Sequence, residues 1–232
     1  MTTPYYSDPH VTLYHGDCHD ILPSFSQGSV NTIATDPPFA MPAQQYAGRT
    51  GWQRCWGETN ILARWWGGVL DLALPTLAQN GHALVFCDDE SYAVFFPELY
   101  KRLANLNSLV WDKGRPGMGT AWRHSHELVI AARGTGAYWV GGAASDVLRA
   151  RPLPSSARLH PVDKPPGLLA QLIEPCTPQD GVVLDPFAGG GSTLVAAKQL
   201  GRRAIGIEIE ERYCEIAAQR LTQDALPFGE GA

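Results

Sequence analysis

At 232 residues, 44% of them hydrophobic and 18% charged, the chain is long enough to bury a sizeable core and too apolar to be disordered in bulk. No apolar run approaches the ~18 residues of a membrane span. The opening Met1 to Tyr6 lacks a signal-peptide pattern, so a cytoplasmic location without a membrane partner is expected. The net charge of −5 argues on average against a nucleic-acid partner, but residues 101–158 hold nine Lys or Arg and three acids, net +6, leaving −11 on the other 174. One region can therefore face an anion. The five cysteines, Cys18, Cys55, Cys87, Cys176 and Cys214, form no C-x-x-C pair, which argues against a disulfide framework and structural zinc; no metal is expected.

Short apolar runs separated by helical stretches predict a mostly parallel α/β sheet covered on both faces. Strands are predicted at Val11 to Tyr14 and Val30 to Thr35, followed by a helix at Ile61 to Ala78, a strand at His82 to Cys87 and a helix at Glu90 to Leu106. The strands Asn107 to Trp111 and His126 to Ala132 are joined by Gly, Pro and Arg residues without helical period, and are read as an antiparallel hairpin with a long tip. A helix at Pro165 to Cys176, a strand at Gly181 to Asp185, a helix at Ser192 to Leu200, a strand at Ala204 to Glu208 and a helix at Glu210 to Thr222 complete a sheet of seven strands. From Leu226 the chain reads as a loose tail.

Two stretches, Ala40 to Asn60 and Gly134 to Ser156, fit no regular element, and loops of that length in a compact domain are commonly functional. The first holds Tyr46, Trp52 and Trp56 beside Arg49 and Arg54; the second holds Tyr138, Trp139, Arg149 and Arg151. Such mixtures can stack on bases and hold phosphates, or pack down as ordinary surface loops.

The segment V-V-L-D-P-F-A-G-G-G-S-T, Val182 to Thr193, reads as a strand ending at Asp185, a glycine-rich turn and a helix start, which exposes backbone N–H groups at the carboxyl edge of a sheet. A dinucleotide fingerprint is incomplete, since Leu194 stands where a third glycine belongs, and the turn has no phosphate-loop lysine. Glu208 ends the next strand, where a carboxylate can accept ribose hydroxyls, so the ligand is read as a nucleoside.

Asp36-Pro37-Pro38-Phe39 follows the strand Val30 to Thr35 and so sits at another carboxyl strand end. The prolines lack N–H groups and hold the backbone open, so Asp36 and the Pro37 carbonyl are acceptors available to an exocyclic amine, with Phe39 against a planar ring. In isolation this tetrapeptide could equally be a strand-terminating turn.

Taken together, D-P-P-F, the later D-P-F-A-G-G-G-S-T, G-D-C at 16–18 and H-P-x-x-K-P at 160–165 resemble the amino-methylating DNA methyltransferases of the β arrangement, over Thr12 to Leu221. The resemblance implies a single Rossmann-like α/β methyltransferase domain over 1–232, with seven mostly parallel strands, an antiparallel hairpin, helices on both faces and a circularly permuted motif order. It implies S-adenosylmethionine as cofactor. Asp36, Pro37, Pro38 and Phe39 would be catalytic. Asp17, Cys18, His160, Lys164, Pro165, Asp185, Pro186, Phe187, Ala188, Gly189, Gly191, Ser192, Thr193 and Glu208 would surround the cofactor. Asp17 and Lys164-Pro165 could instead simply open helices.

The implied substrate is double-stranded DNA whose target base is flipped into the pocket. Arg49, Arg54, Arg115, Arg123, Arg149 and Arg151 are the candidate phosphate contacts. Residues 40–60 would form a mobile loop over the flipped base, and 134–158 a target-recognition insertion short enough to imply a short or relaxed site. In the family, Asp at position 36 leans toward adenine N6. Cytosine N4, an RNA amine, a protein glutamine amide and an inactive DNA-binding protein of the same fold are the alternatives. A homodimer is possible by family analogy, and a restriction-modification setting fits.

Overall fold

A computed structural model describes residues 3–39, 59–117, 121–154 and 163–223. Its sheet is built from strands whose successive residues face opposite sides. Ile33 and Leu184 enter one core while their neighbours Ala34 and Val183 enter the other. The strands are β1 (Tyr6–Ser7), β2 (Val11–His15), β3 (Val30–Thr35), β4 (Leu77–Cys87), β5 (Leu106–Asp112), β6 (His126–Arg133), β7 (Val147–Arg149), β8 (Val182–Asp185) and β9 (Arg203–Glu208), in spatial order β1-β2-β9-β8-β3-β4-β6-β5-β7. β2, β9, β8, β3 and β4 pair in parallel, and β6 is antiparallel to both β4 and β5.

Helices cover both faces. Cys18–Ile21 (α1), Thr59–Ala73 (α2) and Asp89–Tyr100 (α3) bury their apolar stripes in the core that holds Ile33. Pro166–Cys176 (α4), Ser192–Gln199 (α5) and Glu211–Thr222 (α6) bury theirs in the core that holds Ala34. No helix among the described residues is long and apolar enough to cross a membrane. Cys18, Cys87, Cys176 and Cys214 are buried and free.

All seven expected strands form, and the sheet has nine. The additions, β1 and β7, are edge strands of two and three residues, too short to carry an alternating pattern. β7 places three residues of the expected loop Gly134 to Ser156 alongside β5. The helix expected at Ile61 to Ala78 starts two residues earlier and ends at Ala73, because Pro75 closes it into a 3₁₀ turn capped by Thr76 Oγ on the Ala73 carbonyl. Thr59 and Asn60, expected in the first loop, are therefore helical; 40–58 lie outside the described residues. The next helix stops at Tyr100, well short of the expected Leu106, and Asn105 at φ +58 turns the chain into β5.

Trp66 anchors the first core at 1% exposure, with its ring 4.8 Å from that of Phe95, yet its indole Nε1 finds no hydrogen-bond partner among the described residues. Trp66→Ala should cost about 3–5 kcal/mol in urea unfolding, while Trp66→Phe, which also removes the stranded donor, should cost less than ~2 kcal/mol. Equal losses would reject this account of the site.

Candidate active site

β3 and β8 run side by side in parallel, with Thr32 opposite Val183 and Ile33 opposite Leu184. Asp36 and Asp185 therefore leave the sheet at the same edge on neighbouring strands. Thr35 Oγ1 donates to Asp185 Oδ1 at 2.7 Å, and the Phe187 N–H donates to the same oxygen at 3.1 Å. Burial pushes the Asp185 carboxyl up to about 6, against the opposing pull of Thr35, Thr193 and the Phe187 N–H.

The turn after Asp185 depends on left-handed glycines. Gly189 has φ +50 and Gly191 φ +79, and a Cβ on Gly191 would come within 2.8 Å of the Ala217 Cβ. Glu208, at the end of β9, accepts the Gly189 N–H at 2.7 Å and the Glu210 N–H at 2.8 Å. Burial raises its pKa. Each of its oxygens still has a lone pair to offer a hydroxyl. Ser192 Oγ donates to Asp163 at 3.0 Å, and Arg220 spans Asp163 and the Gly190 carbonyl at 3.4 and 2.6 Å, clasping the turn from outside. Pro186, Ala188 and Thr193 are buried around it.

On the far side, Asp17 caps α1 by accepting the His19 N–H at 2.8 Å, and the Gly16 N–H reaches the Glu208 carbonyl at 2.9 Å. Asp17 and Glu208 thus flank one end of the cradle. Cys18 points into the core, where burial pushes its thiol up to about 12, leaving a neutral, packing side chain. Trp65 bridges the two sides, 5.4 Å from the Phe187 ring and 6.4 Å from that of His19. A bare glycine turn, two carboxylates and an aromatic wall fit an elongated ligand with hydroxyl and planar parts.

Lys164, expected among the cofactor residues, lies against the D-P-P-F carboxylate. Its Nζ is 2.5 Å from Asp36 Oδ2 and 3.2 Å from Glu127 Oε2, while Glu127 Oε1 accepts from Lys113 at 2.6 Å. The ammonium also lies 5.4 Å from the Phe39 ring centroid and 5.0 Å from that of Phe86. Burial pushes Asp36 up to about 6, with Lys164 opposing and Glu127 adding to the rise. Burial alone would lower Lys164, but the two carboxylates hold it above its ordinary value. The second oxygen of Asp36, Oδ1, is buried and has no partner among the described residues. A buried carboxylate oxygen without a donor is costly, and its natural complement is an incoming N–H. Pro165 caps α4, so Asp163 and Lys164 are fixed just before a helix start.

Arg115, Arg123, Arg149 and Arg151 are exposed, beyond the carboxyl ends of β5 and β7 and thus on the same edge as Asp36. Arg49, Arg54 and His160 lie outside the described residues. The aromatics grouped with Arg149 and Arg151 part from them: His82 Nε2 contacts the Tyr138 carbonyl at 2.7 Å, at the opposite edge of the sheet. Residues not singled out from the sequence also belong here. Besides Glu127, Lys113, Trp65 and Arg220, they include Trp122, which is 96% exposed on the hairpin tip beside Arg123.

A family model for N6/N4 DNA methylases matches residues 133–219. "Putative methylase YubD" of Escherichia coli K12 is 31% identical over 226 residues, covering 94% of this chain and 92% of its own length. The chain belongs to the N6/N4 DNA methylase family. The type II methyltransferase M2.DpnII of Streptococcus pneumoniae is 28% identical over 258 residues, covering 95% of this chain and 93% of its own length. Among solved structures, the cytosine-N4-specific PvuII DNA methyltransferase aligns with a TM-score of 0.77 at 17% identity, covering 97% of this chain and 91% of that one. TTHA0409 of Thermus thermophilus, complexed with S-adenosyl-L-methionine, aligns at 0.69 and 24% identity, covering 94% and 97%.

In this DNA methylase the raised carboxyl of Asp185 carries a pH signature. Between its ordinary value of 3.8 and about 6, the unfolded chain ionises while the folded chain holds the proton, so stability falls as pH rises through that window. The loss is up to ~3 kcal/mol. Asp185→Asn should reduce the slope of stability against pH in urea unfolding measured from pH 4 to 7, leaving the part that Asp36 contributes in the same window. An unchanged slope would reject the assignment.

Proposed function

We propose that the chain transfers a methyl group from S-adenosylmethionine to adenine N6 of a nucleotide flipped out of duplex DNA. The observation that carries this reading is the unpartnered, buried Oδ1 of Asp36 one strand away from the glycine cradle. S-adenosylmethionine, when bound, supplies an electrophilic methyl on a sulfonium sulfur. Asp185, Gly189, Gly191 and Ser192 would hold its amino-acid part, and Glu208 its ribose, with Asp17 and Phe187 toward the adenine.

A base amine is a weak nucleophile because its lone pair is delocalised into the ring. Asp36 Oδ1 and the Pro37 carbonyl can accept its two N–H bonds and favour a pyramidal nitrogen, stabilising the positive charge that grows there. Phe39 supplies a face for the ring. Asp36, rather than a hydroxyl residue, at the head of the motif is what favours adenine over cytosine. Arg115, Arg123, Arg149 and Arg151, with Trp122 among them, supply an edge for the phosphate backbone of duplex DNA.

Nucleoside mass spectrometry of DNA from an expressing strain should show N6-methyladenine; N4-methylcytosine instead would overturn the base assignment, and neither would overturn the function. Asp36→Ala should lower the rate about 10²–10³-fold. The acceptor form of Asp36 is the ionised one, so the rate should fall as pH drops through about 6. Arg149→Gln with Arg151→Gln should reduce the log–log salt slope of DNA binding by about 2, read by fluorescence anisotropy.

A further inference from the structure

Asp36, Lys164, Glu127 and Lys113 form a row of alternating charges that starts beside the tip of the β5–β6 hairpin and ends at the site. Their side chains are 17%, 7%, 19% and 21% exposed. Glu127 Oε1 accepts from Lys113 at 2.6 Å, while its buried Oε2 lies 3.2 Å from Lys164 Nζ, an ion pair without hydrogen-bond geometry. Lys164 therefore divides its charge between two carboxylates, with the rings of Phe39 and Phe86 closing its remaining side. As a result it touches one oxygen of Asp36 and leaves the other without a donor.

We propose that Glu127 is a positioning residue for methyl transfer, holding the Lys164 ammonium on Oδ2 of Asp36 so that Oδ1 stays open to the substrate amine. The proposal rests on the reading of Asp36 as the amine acceptor. Its physical basis is competition between two carboxylates for one ammonium. An ammonium has three donors, and one buried beside a single carboxylate turns as many of them as it can toward that partner. Glu127 pulls on the ammonium by charge, at ion-pair distance, and keeps it from turning wholly to Asp36. Without its charge, Lys164 answers to Asp36 alone, and the ammonium can shift so that a second N–H closes on Oδ1, filling the place meant for the base. Lys113 serves the same end one step back, by fixing the Glu127 carboxylate where β6 leaves the hairpin tip.

Glu127→Gln keeps the shape and removes the charge. It should lower kcat about tenfold while KM for S-adenosylmethionine stays within about twofold, because the cofactor cradle is untouched. Lys113→Met, at the more exposed end of the row, should give a smaller loss of about threefold in kcat with the same split, and tests the link should the first variant fold poorly. Lys164→Met removes the ammonium itself, so adding Glu127→Gln to it should cost less than about twofold more. A crystal structure of Glu127→Gln should show Lys164 contacting both oxygens of Asp36.

Wild-type kcat in Glu127→Gln, losses that multiply in the double variant, or a Lys164 that keeps its single contact in the crystal would each overturn the proposal. The crystal result is independent of catalysis. If the wild-type chain methylates no DNA, the functional reading fails while the arrangement of Lys164 still decides this one.

Discussion

The parallel pairing of β3 with β8 places two carboxylates, Asp185 buried and Asp36 largely so, at adjacent strand ends. Everything else at this edge answers to that juxtaposition. Like charges taken out of water this close destabilise each other unless each is compensated separately. The two are compensated differently. Asp185 is met by neutral donors, the Thr35 and Thr193 hydroxyls and a backbone N–H, whereas Asp36 is met by a cation. Neutral donors leave Asp185 as a rigid corner of the glycine turn. The cation keeps Asp36 an ionised acceptor, with one oxygen spare. Contrasting environments thus give two chemically identical side chains separate roles.

The dipeptide Asp163-Lys164 serves both halves at once. Lys164 enters the charged row with Asp36, and its neighbour Asp163 takes Ser192 and Arg220 behind the glycine turn. A segment pinned at both points ties the two strand ends together from above the sheet, and Pro165 at the head of α4 stiffens it there. Buried ion pairs contribute little net stability relative to well-packed apolar residues, although removing one partner leaves the other stranded. Their persistence in this edge is better explained by geometry than by stability: they fix which oxygen of Asp36 is occupied and which is free.

What could be read from the sequence was local. The glycine turn and D-P-P-F each declare themselves within a dozen residues, and both sit at strand ends as the hydrophobic pattern indicates. The strands and most helices follow for the same reason. The charged row could not be read in that way. Lys113 and Glu127 meet because Trp111 pairs with Glu127 across the hairpin and Lys113 is two residues further along the same strand direction. That register depends on how the long tip folds, which composition leaves open. Arg220 reaches the turn from the last turn of α6, with no local motif to mark it. The helix overruns had visible causes in Pro75 and Asn105, outweighed by apolar periodicity. Tyr138 and Trp139 were grouped with Arg149 and Arg151 by proximity in the chain, but the excursion between them crosses from one edge of the sheet to the other.

The same topology explains how an acidic protein can gather exposed arginines at one edge. Within the cationic stretch, Lys101 and Arg102 pair with Glu98 and Asp71 on the α2–α3 side, and Lys113 is spent on Glu127. Arg115, Arg123 and Arg151 have no acidic partner among the described residues, and Arg149 has only a 3.6 Å contact to Asp112 while 84% exposed. Because β5 and β7 both run parallel to β4, these four side chains are delivered to the carboxyl edge, where Asp36 and the glycine turn also lie. The exposed arginines share this edge with Asp88, Asp89 and Glu90 after β4 and with the largely buried Asp36 and Glu127, so the edge carries both signs of charge. The exposed indole of Trp122 stands beside Arg123, so the hairpin tip presents an apolar surface next to a cation that has no acidic partner among the described residues.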